Sequence, residues 1–435
     1  MQRRTFLAGA PALLQADTRP NILLILTDQQ THTALSCAGN PWVKTPAMDS
    51  IANGGVRYTE AYATYPVCSP SRGSIFTGAM PHRTGVRENG KSIVAGMPTM
   101  GDLFQAAGYE TVYGGKWHLP KGFDGMTGFT RLIGGSALGK DMDEPLADRC
   151  AQWLRANARR TAPFLMVSSF MNPHDICQWI RDHKGSRGYD NPDLYPPAPG
   201  NMAVDPAEPE MMQYHRTAGY DLMSQAVGIA SEWKRDDVRF YLHDYYRMVE
   251  DVDRQIGKVL TALRETGLHR NTVIAFASDH GEGMGAHRWA QKAAFWEETA
   301  HVPFFLTGPG IAPAVDRTRL VTLADILPTL CDHAGIAAPK SLEGESLRRP
   351  TGRTHIAAEL RFGSAEREGR MIRTARYKYV SFSGGENAEQ FFDLQFDPGE
   401  TNNLVRRPEA SGALDEHRRL LRSRIASTGD DFRRV

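Results

Sequence analysis

The run Cys68-Ser69-Pro70-Ser71-Arg72 places a thiol beside a fixed positive charge. Proline suits the first helical position, with Ser69 before it as the cap and Gly78 past the end, so the helix is predicted to begin at the cysteine. The free N–H groups of a helix start favour an anion, and an arginine on the first turn can fork to oxyanion oxygens. A capped helix with an incidental cysteine would leave Cys68 and Arg72 unexplained. The run therefore indicates anion chemistry.

Further polar clusters follow predicted strands at their carboxyl ends. They are Asp28-Gln29, Lys116 with His118, His174, and Asp279-His280. In open α/β sheets, ligands bind outside the carboxyl ends of the strands. One carboxylate after a strand is often only a helix cap. Several clusters in equivalent positions are hard to explain in that way, so they predict a ligand site at this edge of a sheet.

Continuous apolar runs predict the strands that position these clusters. Strands are predicted at 21–26, 110–113, 164–170, 272–277 and 302–306, and helices at 99–107, 238–265 and 320–334. Strands that are apolar at every position are typical of a parallel sheet covered on both faces. The alternation of strand and helix predicts an α/β fold.

The C-terminal part of the chain changes character. Residues 370–383 alternate in the manner of antiparallel strands, and a polar, arginine-rich helix is predicted over 408–425. We therefore expect a catalytic α/β domain over 19–348, with a central mixed, mostly parallel sheet flanked by helices. A small α+β subdomain with an antiparallel sheet and a helix is expected over 349–435.

Composition excludes several kinds of protein. The chain has 435 residues and a formal net charge of +1, so no overall field favours nucleic acid or a membrane surface. Its five cysteines are scattered and odd in number, which argues against a disulfide framework and a thiolate zinc site. After the N-terminus, no stretch is long and apolar enough to predict a membrane span.

The N-terminus carries a basic pair, Arg3-Arg4, ahead of a short apolar stretch that runs to Leu14. This arrangement resembles a twin-arginine export signal, which we assign to residues 1–18. A frayed basic terminus is the alternative. If the segment directs export, the protein is periplasmic or secreted.

The C-x-P-S-R run that begins at Cys68, followed by Thr77-Gly78, resembles the signature of the sulfatase family. The resemblance covers essentially the whole chain after the N-terminus, including 115–118, 172–174, 278–282, Lys292 and the C-terminal pattern. It points to the type I, formylglycine-dependent sulfatases of the alkaline-phosphatase-like superfamily. A sulfatase hydrolyses sulfate esters, so the resemblance implies a sulfuric ester hydrolase.

The resemblance implies that Cys68 is the precursor of the nucleophile. A maturation enzyme would oxidise it to formylglycine, and a hydroxyl of the hydrated form would attack sulfur. Arg72 would hold the formylglycine. His118 would help to deprotonate the second hydroxyl, so that sulfate is expelled and the aldehyde reforms.

The resemblance also implies a metal site and a sulfate site. The implied metal ligands are Asp28, Gln29, Cys68, Asp279 and His280. Lys116, His174 and Lys292 would bind the sulfate group, and His174 or Lys292 would protonate the leaving alcohol. His82 and Arg83 follow the signature helix and could grip a sulfated sugar, although a solvated basic loop is the alternative.

Two residues depart from the commonest family pattern. Many sulfatases carry Asp-Asp where this chain has Asp28-Gln29, and asparagine where it has His280. Losing one carboxylate lowers the negative charge of the site, and an imidazole makes it less purely an oxygen site. We expect Ca²⁺, with Mn²⁺ or Mg²⁺ as alternatives.

Three functions are compatible with the sequence. The favoured one is hydrolysis of sulfate monoesters on a sulfated carbohydrate or, as in choline-sulfatase-like proteins, on a sulfated small molecule. Gln29 and His280 keep a phosphonate or phosphate ester hydrolase open. A non-catalytic glycan-binding protein with an unmodified Cys68 is the third, but a binder has no need of leaving-group chemistry.

Overall fold

The computed structural model describes residues 19–119, 128–135, 137–183, 191–219, 221–363 and 367–433. The predicted export signal at 1–18 lies outside the described residues. Among the helices of the described part, none is long and apolar enough to cross a membrane.

An eight-stranded mixed sheet forms the centre of the large domain. Its strands are β1 (Asn21–Asp28), β2 (Val56–Tyr62), β3 (Glu110–Gly115), β4 (Thr130–Ile133), β5 (Phe164–Pro173), β6 (Thr272–Ser278), β7 (Phe304–Thr307) and β8 (Ala314–Thr322). Their order is β4-β3-β5-β1-β6-β7-β2-β8. Only β7 runs antiparallel to its neighbours within this described sheet. The predicted mostly parallel α/β fold is therefore confirmed.

Helices cover both faces of this sheet. The described helices of the large domain are α1 (Pro46–Asn53), α2 (Cys68–Thr77), α3 (Pro81–Thr84), α4 (Met100–Ala106), α5 (Gly139–Ala156), α6 (Ile176–His183), α7 (Glu210–Thr217), α8 (Leu222–Ser231), α9 (Arg235–Glu265), α10 (Glu297–Ala300) and α11 (Ile326–Ala334). Every residue of β1 is buried. Because side chains alternate along a strand, Leu24 packs on the face covered by α2 and α11, whereas Leu23 packs on the face covered by α5 and α9.

A second sheet lies in the C-terminal part. It is antiparallel, in the order β12-β11-β10-β9. Its strands are β9 (His355–Arg361), β10 (Glu368–Thr374), β11 (Tyr377–Phe382) and β12 (Glu389–Asp393), and helix α12 (Ser411–Thr428) packs against one face. The predicted antiparallel sheet and helix are present, while the boundary at 348/349 stays a prediction.

The predicted helix over 320–334 is wrong at its start. Leu320 to Thr322 belong to β8, where they pair with β2. The Asp325 carboxylate accepts a hydrogen bond of 2.9 Å from the backbone N–H of Thr322. This bond caps the turn before α11, which explains why the helix itself begins only at Ile326.

Candidate active site

Neighbouring strands bring the predicted polar clusters to one edge of the large sheet. The parallel register pairs Thr27 of β1 with Ser278 of β6, so Asp28 and Asp279 emerge side by side. On the other side of β1 lies β5, which leads into His174, and β3 lies beyond it and leads into Lys116. The order β3-β5-β1-β6 therefore explains why residues far apart in sequence meet here.

Helix α2 begins with the cysteine itself. The predicted cap at Ser69 is wrong, because the N-cap residue is Val67 and Ser69 lies inside the first turn. The Ser69 hydroxyl donates instead to the backbone carbonyl of His118, and its N–H donates to Asn89 at 3.0 Å. The helix ends at Gly78 with φ of 68°, as predicted.

The Cys68 sulfur is fully buried among cationic side chains. It lies 3.1 Å from Nζ of Lys292, 3.6 Å from Nζ of Lys116 and 3.2 Å from Nε2 of His280. The sulfur also lies 3.7 Å from Asp28 Oδ1. Burial alone would raise the pKa of this thiol, but Lys116, Lys292 and His280 hold it well below its ordinary value. The position therefore stabilises negative charge.

Arg72 ties the carboxylates of the two central strands together. It is fully buried; its Nε donates to Asp279 Oδ2 at 2.7 Å, and its Nη2 donates to Asp28 Oδ2 at 3.0 Å. Its Nη1 donates to the Lys116 carbonyl and to Ser169 Oγ, each at 2.8 Å. A rigid guanidinium fork can satisfy all of these acceptors at once, which an ammonium group cannot do. Arg72 therefore sets the spacing between the two carboxylates.

Four of the five predicted metal ligands converge in the described part of the chain. Ligand atoms of Asp28, Cys68, Asp279 and His280 all lie within 4.8 Å of one another, and all four residues are buried. Two carboxylates and an imidazole suit a divalent cation, so these residues fit the metal that the resemblance implies.

The fifth predicted ligand, Gln29, directs its amide oxygen toward the same space. Gln29 Oε1 accepts a hydrogen bond of 2.9 Å from Lys292 Nζ. The backbone N–H of Gln29 donates to Asp279 Oδ1 at 3.2 Å. An amide oxygen is an acceptable ligand for calcium.

One side of the Cys68 group is open to solvent. The side chain of His174 is 24% exposed, and its Nε2 lies 4.0 Å from Asp28 Oδ1. Burial, together with Lys116 and Lys292, lowers the pKa of His174 to about 4. His118 is exposed. In the described part of the chain, a substrate can therefore approach past His118 and His174.

The structure places His82 and Arg83 elsewhere. His82 Nδ1 lies 2.6 Å from Glu359 Oε1 on β9, and Arg83 Nη1 donates to the Ser341 carbonyl at 2.6 Å. In the described part of the chain, none of their contacts involves the Cys68 group. His82 therefore joins the large domain to the C-terminal part, and Arg83 contacts another segment of the large domain, so these contacts give no support to the predicted binding of a sulfated sugar.

Family models match along almost the whole chain. The model described as "Sulfatase" matches residues 20–336, and that described as "N-sulphoglucosamine sulphohydrolase, C-terminal" matches residues 285–426. The chain belongs to the sulfatase family. It is a sulfuric ester hydrolase, as the motifs predicted.

Several relatives share most of their length with this sulfatase. A Delta 4,5-hexuronate-2-O-sulfatase of Bacteroides thetaiotaomicron is 33% identical over 98% of this chain and 92% of its own. An ulvan-active sulfatase of Formosa agariphila is 31% identical over 96% and 83%. The solved structure of a 2-O GAG sulfatase superimposes with a TM-score of 0.85 at 31% identity, covering 95% of this chain and 93% of its own.

Phosphonate monoester hydrolases share the fold of this sulfatase. The enzyme of Agrobacterium radiobacter superimposes with a TM-score of 0.78 at 24% identity, covering 94% of this chain and 96% of its own. This similarity concerns the fold alone.

No sequence pattern assigned a role to a buried network behind the sulfatase site. Glu282 belongs to the 278–282 motif, yet its contacts with Tyr241 and Gln291 join distant segments. Cys177, three residues after His174 and in the first turn of α6, contacts Gln29 and Gln291. The position of Glu282 beside Asp279-His280 was the one available signal.

Proposed function

We propose that Cys68 is oxidised to formylglycine by a maturation enzyme and that the mature protein hydrolyses sulfate monoesters of saccharides. A 2-O-sulfated hexuronate is the substrate we place first. The observation that carries the proposal is the pair of ammonium groups, Lys292 at 3.1 Å and Lys116 at 3.6 Å from the Cys68 sulfur. Relatives named for hexuronate-2-O-sulfate and for 2-O GAG sulfate support the choice of sugar.

The side chains around Cys68 have different roles in the proposed reaction. Lys116 and Lys292 bind sulfate oxygens and offset their charge, in a buried site where each contact is stronger than in water. His174, on the open side, donates a proton to the leaving alcohol. Its low pKa comes from burial and the two lysines, and a bound sulfate offsets the lysine charges, so substrate binding favours the protonated imidazole.

We also propose calcium as the resident ion. Asp28, Gln29, Asp279 and His280 would hold it, together with the modified side chain at 68. A bound divalent cation supplies Lewis-acid stabilisation of sulfate charge. Arg72 keeps the two carboxylates in place through contacts of 2.7 and 3.0 Å.

Export through the twin-arginine segment at 1–18 is a further proposal. Arg3-Arg4 ahead of a short apolar stretch supports it. The test compares the wild type with a variant carrying Arg3→Lys and Arg4→Lys. The wild type should be recovered from the periplasm or medium and the variant from cytoplasm; equal cytoplasmic retention of both would contradict export.

A substrate panel tests the proposed activity. Protein made with a formylglycine-generating enzyme is assayed on 2-O-sulfated unsaturated hexuronate disaccharides, on 6-O-sulfated glucosamine and on an aryl phosphonate, with Cys68→Ala as the control. We expect the 2-O-sulfated sugar to have the highest kcat/KM and the control to be inactive. A many-fold higher kcat/KM on the phosphonate would contradict the proposal and favour the alternative function, a phosphonate ester hydrolase.

A further inference from the structure

Glu282 is a buried carboxylate that accepts hydrogen bonds from three segments around the site. It is fully buried and directly follows the Asp279-His280-Gly281 motif. Its Oε1 accepts from the N–H of Gly283 at 2.9 Å, from the N–H of Gln291 and from the hydroxyl of Tyr241. Its Oε2 accepts from Nε2 of Gln29. Both oxygens are therefore engaged by donors.

Gln29 and Gln291, which both donate to Glu282, have left-handed backbones. The φ angle is 71° at Gln29 and 72° at Gln291. Such conformations are costly for residues with a Cβ and persist where surrounding contacts over-determine them. Cys177 adds to those contacts, because its sulfur lies 3.3 Å from Gln29 Oε1 and 3.1 Å from Gln291 Oε1.

The contact with Glu282 decides which way the Gln29 amide faces. A carboxylate only accepts hydrogen bonds, so it selects the Nε2 end of the amide. The Oε1 end is then turned toward Lys292 Nζ, 2.9 Å away. A reversed amide would set its NH₂ group against the Lys292 ammonium. The same carboxylate also holds the backbone next to Lys292, through Gln291.

We propose that Glu282 is a positioning residue of this sulfatase: it orients the Gln29 amide oxygen into the Cys68 site and fixes the backbone that carries Lys292. It touches no reacting atom in this role. The role rests on the proposed function where activity or calcium binding is the readout, whereas the melting temperature without calcium does not depend on it.

Exchanging the carboxylate and the amide tests the proposal. In Glu282→Gln, the Oε1 end must stay with its donors, so the new NH₂ group faces Gln29 and forces that amide to reverse. In Gln29→Glu, two carboxylates face each other. The double variant Gln29→Glu/Glu282→Gln restores a donor opposite an acceptor and again presents an oxygen to Lys292.

Three readouts are taken on the full chain: melting temperature without calcium, calcium affinity by calorimetry, and kcat/KM on the sulfated disaccharide. We expect Glu282→Gln to lose about 10-fold or more in calcium affinity, as for other residues that orient metal ligands, and in kcat/KM. Gln29→Glu should melt below the wild type without calcium, because two buried carboxylates repel each other. The double variant should regain most of the losses of Glu282→Gln and melt above either single variant. Tyr241→Phe is the matched control, because it removes a bond to Oε1 and leaves Oε2 with Gln29.

Absence of rescue would overturn the proposal. If the double variant binds calcium no better than Glu282→Gln and melts no higher than either single variant, Glu282 does not act through Gln29. If Glu282→Gln does not fold, Gln29→Glu against the double variant gives the same comparison. The wild type could bind calcium and the double variant could show rescue while the wild type releases no sulfate from saccharides. That result would contradict the proposed function but would still support the role of Glu282.

Discussion

The ammonium group of Lys292 lies 3.1 Å from the sulfur of Cys68. The contact joins the loop after β6 to the start of α2, and Lys116 approaches the same sulfur at 3.6 Å. Lys116 also pairs with Asp28 Oδ2 at 2.6 Å, whereas a buried ammonium group such as that of Lys292 is costly unless an anion compensates it. The site is therefore arranged for negative charge at and around position 68.

Replacing Lys292 tests its part in stabilising that charge. Lys292→Ala removes one ammonium group from the buried site, and we expect kcat/KM to fall by about 100-fold or more, the range measured for loss of a preorganised charge-stabilising group. Lys258→Ala, at an exposed lysine paired with Glu144, is the matched control. Steady-state kinetics of both variants decide the matter; equal activity of the two would contradict a direct role for Lys292.

Arg72 should be essential for stability when calcium is absent. Arg72→Gln leaves Asp28 and Asp279 buried without their shared partner, so the free energy of unfolding should fall by about 3–5 kcal/mol. Calcium should recover part of that loss, because it replaces positive charge between the carboxylates. Denaturant titrations with EDTA and with calcium measure both effects. Arg155→Gln, at an exposed pair with Glu265, should change little in either buffer.

Substrates with different leaving groups show whether His174 donates a proton or only binds the substrate. His174→Ala should lower kcat on a sugar sulfate by about 100-fold or more, because an alkoxide leaves poorly without a proton. A 4-nitrophenyl sulfate needs no such proton, so its kcat should fall much less. Equal losses on the two substrates would assign proton donation elsewhere, with Lys292 as the next candidate.

The contact between His82 and Glu359 predicts a pH-dependent contribution to stability. Burial lowers the pKa of His82, but the hydrogen bond and charge of Glu359 and the nearby Glu343 raise it above 6.5 overall. A histidine with a raised pKa in the folded state contributes stability at low pH, and this contribution is lost as pH rises through that folded-state pKa. His82→Gln should therefore destabilise the protein more at about pH 5.5 than at about pH 8.5.

The same variant tests the two interpretations of His82. Denaturation curves at both pH values give the stability difference, and kinetics on the sulfated disaccharide give the effect on function. We expect kcat/KM to stay close to wild type. A rise in KM without a change in stability would support the prediction that His82 binds a sulfated sugar.

The sequence predicted the strands and their terminal polar clusters because both depend on local pattern. β1 reads as a buried strand because every residue from Asn21 to Leu26 suits a covered parallel sheet, and Asp28 follows it. The helix signature around Cys68 was also local, down to Gly78 at its end. The resemblance to sulfatases then assigned to one site clusters that lie more than two hundred residues apart.

Contacts made across the fold could not be predicted. Serine is a favourable N-cap residue, yet the Ser69 hydroxyl donates to the backbone carbonyl of His118. This contact depends on how distant segments pack around the site, so the local sequence does not predict it. Leu320 suits a helix by type, but pairing with β2 draws it into a strand. The link from Glu282 to Tyr241 joins a motif residue to the middle of α9, and no spacing in the sequence encodes it.

The proposed hydrolysis depends most on the conversion of Cys68 to formylglycine. Preparations with different formylglycine contents, made by varying the maturation enzyme, are digested, and the peptide across Tyr65 to Arg72 is quantified by mass spectrometry beside the rate of sulfate release from the disaccharide. We expect a rate proportional to the formylglycine fraction, with no activity where Cys68 remains a thiol. Full activity in a preparation with only the unmodified cysteine would contradict it.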